Sequence, residues 1–186
     1  MKNIASSIAL ISLLAASGAQ AASHAANPMV GGAKMLPTMD IVENAMNSAD
    51  HTTLVAAVGA ADLVDTLKSD GPFTVFAPVN AAFAALPEGT VPTLLQPENK
   101  GTLQKILTSH VVAGNWSAAK IIDAVKSSSD GFFHFEAVSG DALSAQLKGG
   151  NVYIFDESGN AAMVTIADVN QSNGVIHVID GVLLPK

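Results

Sequence analysis

The hydrophobic pattern of this 186-residue chain changes once, near Lys126. Before that point, apolar residues recur at helical spacing, as at Leu103, Ile106 and Leu107. After it, apolar runs of strand length are separated by turns rich in Gly, Ser, Asn and Asp. Helices followed by a meander of strands are typical of an α+β domain with an antiparallel sheet.

Two strands depart from this simple order. The run from Phe73 to Ala77 lies among the helices and is bounded by prolines, which predicts a strand inserted in the helical half. In the last apolar run, from Val175 to Ile179, both alternating sets of side chains are apolar apart from His177. This pattern predicts a central strand with both faces covered.

The composition excludes several kinds of site. The chain has no cysteine, which excludes a disulfide scaffold, a thiolate nucleophile, a zinc ribbon and an iron–sulfur centre. The chain has 9 cationic and 16 acidic residues, so its net charge is −7. All 9 cationic residues are lysines, and without arginine we do not expect nucleic acid as a partner. With 49% hydrophobic residues, the chain can bury the core of one domain, and packing must stabilise it.

The N-terminal residues resemble an export signal. A lysine at position 2 precedes an apolar run from Ile4 to Ala16, and Ala19-Gln20-Ala21 is the small-x-small pattern of signal-peptidase cleavage. We therefore predict a signal peptide over residues 1–21, cleavage near Ala21, no membrane span, and a periplasmic or extracellular protein. Residues 22–36 are predicted to be a flexible tether and residues 37–186 the folded domain.

Two segments resemble the hallmark segments of fasciclin domains. They are Thr74–Phe83, with the sequence TVFAPVNAAF, and Asn173–Pro185, with the sequence NGVIHVIDGVLLP. Between them, Leu107–Val112 is similar to the central Tyr-His segment of that family. The resemblance extends over nearly all of the chain from Thr38 onward.

The resemblance implies a wedge of antiparallel and mixed β-strands surrounded by short helices, with the two hallmark strands side by side. It also implies a non-catalytic adhesion or protein-interaction module whose partner is a protein or a cell-surface or matrix component. The hallmark residues Thr74, Asn80, His110 and His177 are expected to serve the scaffold.

The chain departs from the family pattern at two positions. Val79 occupies a position where the family usually has Thr or Ser, so the hydroxyl cap of the following helix is missing. Either Asn80 takes over the capping or the helix end is weaker by about 1 kcal/mol. Ser109 stands where the family often has Tyr, which leaves His110 alone.

The two histidines of the hydrophobic segments have two interpretations. His110 and His177 could hold a metal or form an acid–base pair, or each could be an internal histidine bonded to backbone. We favour the second interpretation, because buried polar groups are paired and no metal-ligand spacing accompanies them. Adjacent Ser109 and His110 point to different sides of a helix and cannot exchange a proton, so we predict no catalytic residues. We also predict no metal and no cofactor.

The loop from Asp156 to Asn160 offers several oxygens that could bind calcium. It lacks the length and the closing glutamate of an EF-hand loop, so the sequence favours a hairpin turn.

Three residues are the candidates for partner binding. Asp168 and Val169 match by position the Asp-Ile pair of the integrin-binding pentapeptide in animal fasciclin proteins. The alternative for Asp168 is a strand end that accepts hydrogen bonds from the turn at residues 170–173. Trp116, the one tryptophan, is either a binding anchor or a lid over the core.

An alternative function is the carriage of an apolar ligand such as a carotenoid or lipid. It follows from the resemblance, because some algal fasciclin proteins bind carotenoids. Met29, Met35, Leu36 and Met39 are the apolar candidates near the tether, and helix packing is the competing explanation for them.

Overall fold

A computed structural model of the chain describes residues 27–186. The predicted signal peptide and the first part of the tether, residues 22–26, lie outside the described residues. No helix within residues 27–186 combines the length and the hydropathy that crossing a bilayer requires.

The described residues form short helices and nine strands. The α-helices are α1 (Ile41–Asn47), α2 (Thr52–Ala60), α3 (Val64–Lys68), α4 (Asn80–Ala84), α5 (Thr90–Leu94), α6 (Lys100–Thr108) and α7 (Ala118–Ser127). Two 3₁₀ helices lie at Ala49–His51 and Pro97–Asn99. The strands are β1 (Met29–Val30), β2 (Ala33–Lys34), β3 (Phe73–Pro78), β4 (Val111–Ala113), β5 (Phe132–Glu136), β6 (Ala142–Lys148), β7 (Asn151–Phe155), β8 (Ala161–Gln171) and β9 (Gly174–Ile179).

Seven strands form one mixed sheet with the order β4-β3-β9-β8-β7-β6-β5. The pair β3–β9 is parallel, with Val75 opposite Ile176 and Ala77 opposite Val178, and the other pairs are antiparallel. Every residue of β9 is buried, as the apolar residues on both faces predict. The predicted α+β class and the adjacent hallmark strands are confirmed.

Alternate residues of β3 serve two separate cores. Val75 and Ala77 pack with the apolar faces of helices α1–α4 and α6, whereas Phe76 packs with α7 and the meander β5–β8. The two hallmark strands therefore lie between both cores. Because both faces of β3 and β9 are packed, the backbone of these strands is held in place, and side chains of the functional site project from it.

Residues 27–36, assigned to the tether from composition, instead form an ordered hairpin. Strands β1 and β2 pair through a two-residue turn at Gly31 and Gly32, whose φ angles of 56° and 76° suit glycine. Val30 and Met35 are 3% and 2% exposed and belong to the first core. The glycines were the reason to predict flexibility, but they form the tight turn of the hairpin. Because the hairpin packs on the first core, the folded region begins before residue 37.

Side-chain capping differs among the first helices. Asp40 caps α1 in a capping box with Glu43. Asp50 does not cap α2, which begins at Thr52 after a 3₁₀ helix. At the start of α4, Val79 makes no side-chain capping bond.

Asn80 caps a different helix from the one expected. Its Oδ1 accepts hydrogen bonds from the Thr53 N–H at 3.0 Å and the Thr52 hydroxyl at 3.2 Å, both at the start of α2. Its Nδ2 donates to the Ala49 carbonyl at 2.9 Å. Asn80 thus caps α2 from α4, and the idea that it replaces the missing hydroxyl of α4 is wrong.

Replacing Asn80 with alanine is expected to lower the free energy of unfolding by about 1 to 2 kcal/mol, because the first turn of α2 loses its cap. Asn80→Asp retains the acceptor but sets a carboxylate oxygen against the Ala49 carbonyl, so it should recover only part of the stability that Asn80→Ala loses. Urea unfolding of both variants gives the comparison. A midpoint for Asn80→Ala equal to that of the unchanged protein would contradict the assignment.

Candidate functional site

The loop of residues 114–117, between β4 and α7, is folded around one buried hydroxyl. Thr74, 0% exposed, donates its Oγ1 hydrogen to the Gly114 carbonyl at 2.7 Å and accepts from the Trp116 N–H at 2.9 Å. Gly114 has a φ of 99°, which favours glycine. A single threonine of the first hallmark segment therefore sets the course of this loop, which we call the Trp116 loop.

His177 attaches the same loop to the second hallmark strand. Its Nε2 bonds to the Trp116 carbonyl at 2.7 Å, and its Nδ1 accepts from the Asp168 N–H at 3.3 Å. These partners assign the proton to Nε2. Burial lowers the pKa of His177. This effect is larger than the opposing effects of the Trp116 carbonyl and the Asp168 carboxylate, which raise the pKa. The ring is neutral and links two of the predicted binding residues.

Asp168 lies within β8, not at its end. Its φ is 56°, and the β8–β9 register is irregular on the approach to Val169. The carboxylate accepts from the Ala118 N–H at 2.7 Å, at the first residue of α7. The backbone carbonyl of Asp168 accepts from Asn170 Nδ2 at 3.1 Å, so one of the expected bonds from residues 170–173 is present. The carboxylate instead contacts a helix N-terminus, where a negative charge is favourable.

The other two binding candidates differ in exposure. Trp116 is half-buried: its ring packs on Phe133 with centroids 5.0 Å apart, and its Nε1 donates to Ala113 at 3.1 Å. It packs against the second core and stays partly exposed. Val169 is 1% exposed and lies in the first core, so its side chain offers no contact surface.

His110 is bonded to backbone at both ring nitrogens. Nδ1 lies 2.7 Å from the Ile106 carbonyl, and Nε2 accepts from the Leu183 N–H at 2.9 Å. Burial lowers its pKa to about 4. Ser109 and His110 were expected to lie on a helix, but α6 ends at Thr108, and the imidazole joins the end of α6 to the C-terminal segment.

The groups considered for chemistry are occupied by structural bonds. The Ser109 hydroxyl donates to the Ile106 carbonyl at 2.6 Å, so it does not form a nucleophile–base pair with His110. Asp156 lies in the turn between β7 and β8, where it accepts hydrogen bonds from Asn160. It also accepts from the Leu184 N–H of the C-terminal segment at 2.8 Å. Among residues 27–186, no group of three or more acidic or histidine side chains could hold a metal ion.

An apolar cavity of about 330 Å³ lies in the first core. Helices α1–α3 form one wall and the sheet forms the other, with Ala45, Leu54 and Val178 among the lining residues. The lining includes Met35, one of the four apolar candidates. It also includes Met46 and Val138, which are 64% and 48% exposed and therefore mark where the cavity meets the surface.

Two polar residues of the cavity wall were missed in the sequence. Ser48 and His51 are 2% and 3% exposed and join through Oγ and Nδ1 at 2.9 Å. They lie in a connecting segment without an apolar pattern, so periodicity did not indicate burial. The sequence signal that could have indicated their burial is a histidine directly before an apolar helix.

Comparisons with known proteins identify the family of this chain. The family model of the Fasciclin domain matches residues 49–185. Protein sll1483 of Synechocystis is 52% identical over 79% of this chain and 74% of its own length. Immunogenic protein MPB70 of Mycobacterium bovis is 36% identical over 76% of this chain and 66% of its own length.

The fold is also seen among solved structures. One of them is a FAS1 domain pair from the insect cell adhesion molecule fasciclin I, with a TM-score of 0.69 at 18% sequence identity. The match covers 78% of this chain and 51% of that chain.

Proposed function

We propose, for a chain that belongs to the fasciclin domain family, a non-catalytic role as an exported module that attaches cells to a protein or matrix component. The family assignment rests on the family model and on the 52% identical relative. The structural neighbour comes from a cell adhesion molecule, and we transfer adhesion to this chain as a proposal.

The observation that supports this role best is the Trp116 loop. Three side chains from other elements, Thr74, His177 and Asp168, hold this loop and the start of α7 at fixed positions. A partly exposed tryptophan on a rigid support has the properties of a binding anchor, because little conformational entropy is lost when a partner covers it. Asp168 bonds to the other ring nitrogen of His177, and its carboxylate holds the first residue of α7.

The non-catalytic part of the proposal rests on the bonding of the candidate reactive groups. Ser109, His110 and His177 each bond to backbone atoms, and the pKa values of both histidines are lowered by burial. A general base needs a free nitrogen beside a nucleophile. Neither histidine provides one.

A deletion strain tests the proposed role. Loss of the gene should reduce cell aggregation and attachment to surfaces, and expression of the full chain in the deletion strain should restore both. Expression of a chain without residues 1–21 controls for export and should fail to restore them. A deletion strain that attaches and aggregates like its parent would contradict the proposal.

The apolar cavity supports a second candidate function, the carriage of an apolar ligand such as a carotenoid or lipid. Its volume of about 330 Å³ lies at the lower end of the range of ligand pockets. A protein purified from its native host should then contain a lipid or a pigment, detected by organic extraction and an absorption spectrum. A colourless, lipid-free protein that takes up no added carotenoid would contradict this candidate.

A further inference from the structure

One charged side chain lies at the rim of the apolar cavity. Of the lining residues within residues 27–186, none is acidic, and Lys68 on α3 is the one lysine. The Lys68 side chain is 39% exposed, so this residue meets both the cavity and the solvent. Lysine commonly lays its apolar stem along hydrophobic surface and keeps its ammonium group in water. The ammonium group of Lys68 therefore marks a cationic point on the rim.

The Lys68 ammonium group can bind a further anion. Its Nζ lies 3.7 Å from Oδ2 of Asp40, which is longer than a hydrogen bond. The other oxygen of Asp40 accepts from the Glu43 N–H at 2.8 Å in the cap of α1. A partly exposed ion pair of this length is weak. Lys68 can therefore donate to a second carboxylate at the rim without losing a strong bond.

Three polar side chains of the lining are bonded to the protein itself. Thr108 donates to the Gln104 carbonyl at 2.7 Å, and His110 is bonded to backbone at both ring nitrogens. The Ser48 hydroxyl is bonded to His51. The rest of the lining is almost wholly apolar, and a charged group enclosed by it would lose its hydration. The charged end of a ligand therefore belongs at the rim.

We infer that the cavity binds a single-chain fatty acid, with its acyl chain inside and its carboxylate at Lys68. This inference rests on the second proposed function and specifies the class of its ligand. An engineered apolar cavity of about 150 Å³ holds benzene, so by proportion a cavity of about 330 Å³ holds an acyl chain of about a dozen carbon atoms. The carboxylate is complementary in charge to Lys68 and can form a charge-assisted hydrogen bond with it.

Three ten-carbon probes of different charge test the inference. Dissociation constants of decanoate, 1-decanol and decyltrimethylammonium are measured by displacement of an apolar fluorescent dye from the purified protein and its variants. Lys68→Met removes the charge and keeps an apolar stem, so it should weaken the binding of decanoate at least about threefold relative to 1-decanol. Lys68→Glu should weaken the binding of decanoate about tenfold and strengthen the binding of decyltrimethylammonium.

Lys100→Met is the matched control for the loss of one positive charge. Lys100 is 40% exposed and is paired with Asp62, much as Lys68 is paired with Asp40, but it does not line the cavity. The control changes the net charge of the protein by the same amount as Lys68→Met. It should leave the ratio of the decanoate and 1-decanol constants unchanged.

A second readout uses the unchanged protein and so does not depend on the folding of a variant. In NMR spectra of the decanoate complex, the methylene group beside the carboxylate should show nuclear Overhauser contacts with Lys68. The terminal methyl group should show them with interior side chains such as Leu54 and Val178. The reverse orientation, or a ratio that neither Lys68 variant changes, would overturn the inference and leave the carrier function standing. If none of the three probes binds, the carrier function itself fails.

Discussion

Between pH 6.5 and pH 4, the free energy of unfolding is expected to fall by about 3 kcal/mol through His110 alone. The folded-state pKa of His110 is lowered to about 4 from an ordinary value of 6.5, because the imidazole is buried between Ile106 and Leu183. In this pH window the unfolded chain binds the proton and the folded chain does not. Stability is therefore full above pH 6.5 and is lost as the pH falls toward 4.

The variant His110→Gln isolates this contribution. A glutamine can donate to the Ile106 carbonyl and accept from the Leu183 N–H, but it does not titrate. Urea unfolding at several pH values should show a weaker pH dependence for this variant than for the unchanged protein. The burial of His51 and His177 acts in the same direction and is common to both chains. Parallel curves over this window would contradict the role given to His110.

Replacing Thr74 with valine is expected to lower the free energy of unfolding by about 2 to 3 kcal/mol. The substitution preserves the side-chain shape but leaves the Gly114 carbonyl and the Trp116 N–H without their partner. Thr74→Ser is the matched control, because it keeps the hydroxyl and removes a methyl group. Urea unfolding followed by the fluorescence of Trp116 measures both variants.

The same pair of variants separates the hydroxyl from the packing of Thr74. The valine variant should also change the emission of Trp116 in the folded state, since the loop that carries the ring loses an attachment. The serine variant should keep the native emission. If valine is tolerated as well as serine, the hydroxyl does not hold the Trp116 loop.

The sequence predicted the fold where the pattern was local. The bounded run beginning at Phe73 indicated β3, and the apolar residues on both sides of His177 indicated the buried strand β9. The parallel pairing of these strands lay beyond periodicity, because it depends on contacts between residues about 100 positions apart. Only the family resemblance placed the two strands side by side.

The site was predictable as a set of residues but not as an arrangement. Asp168, Thr74 and His177 were named from motifs and Trp116 as the one tryptophan. The link from Asp168 to Trp116 through Nδ1 and Nε2 of the His177 ring depends on tertiary structure. Val169 was named by position within a motif, and its burial depends on packing in the first core, which the motif does not encode. The bond between Asn80 and α2 was missed for the same reason, since the partners are 27 or more residues apart.

Attachment of cells to protein-coated surfaces tests most directly whether the Trp116 loop carries the binding function. Cells of the source organism are applied to equal amounts of the unchanged protein, Trp116→Ala and Phe132→Ala. Phe132 is a matched aromatic control, because it lies on the opposite face of β5 from Phe133, which contacts Trp116. We expect Trp116→Ala to weaken attachment at least about tenfold, as for an anchor residue, and Phe132→Ala to leave it unchanged. Equal attachment to all three surfaces, with each protein folded, would contradict the account.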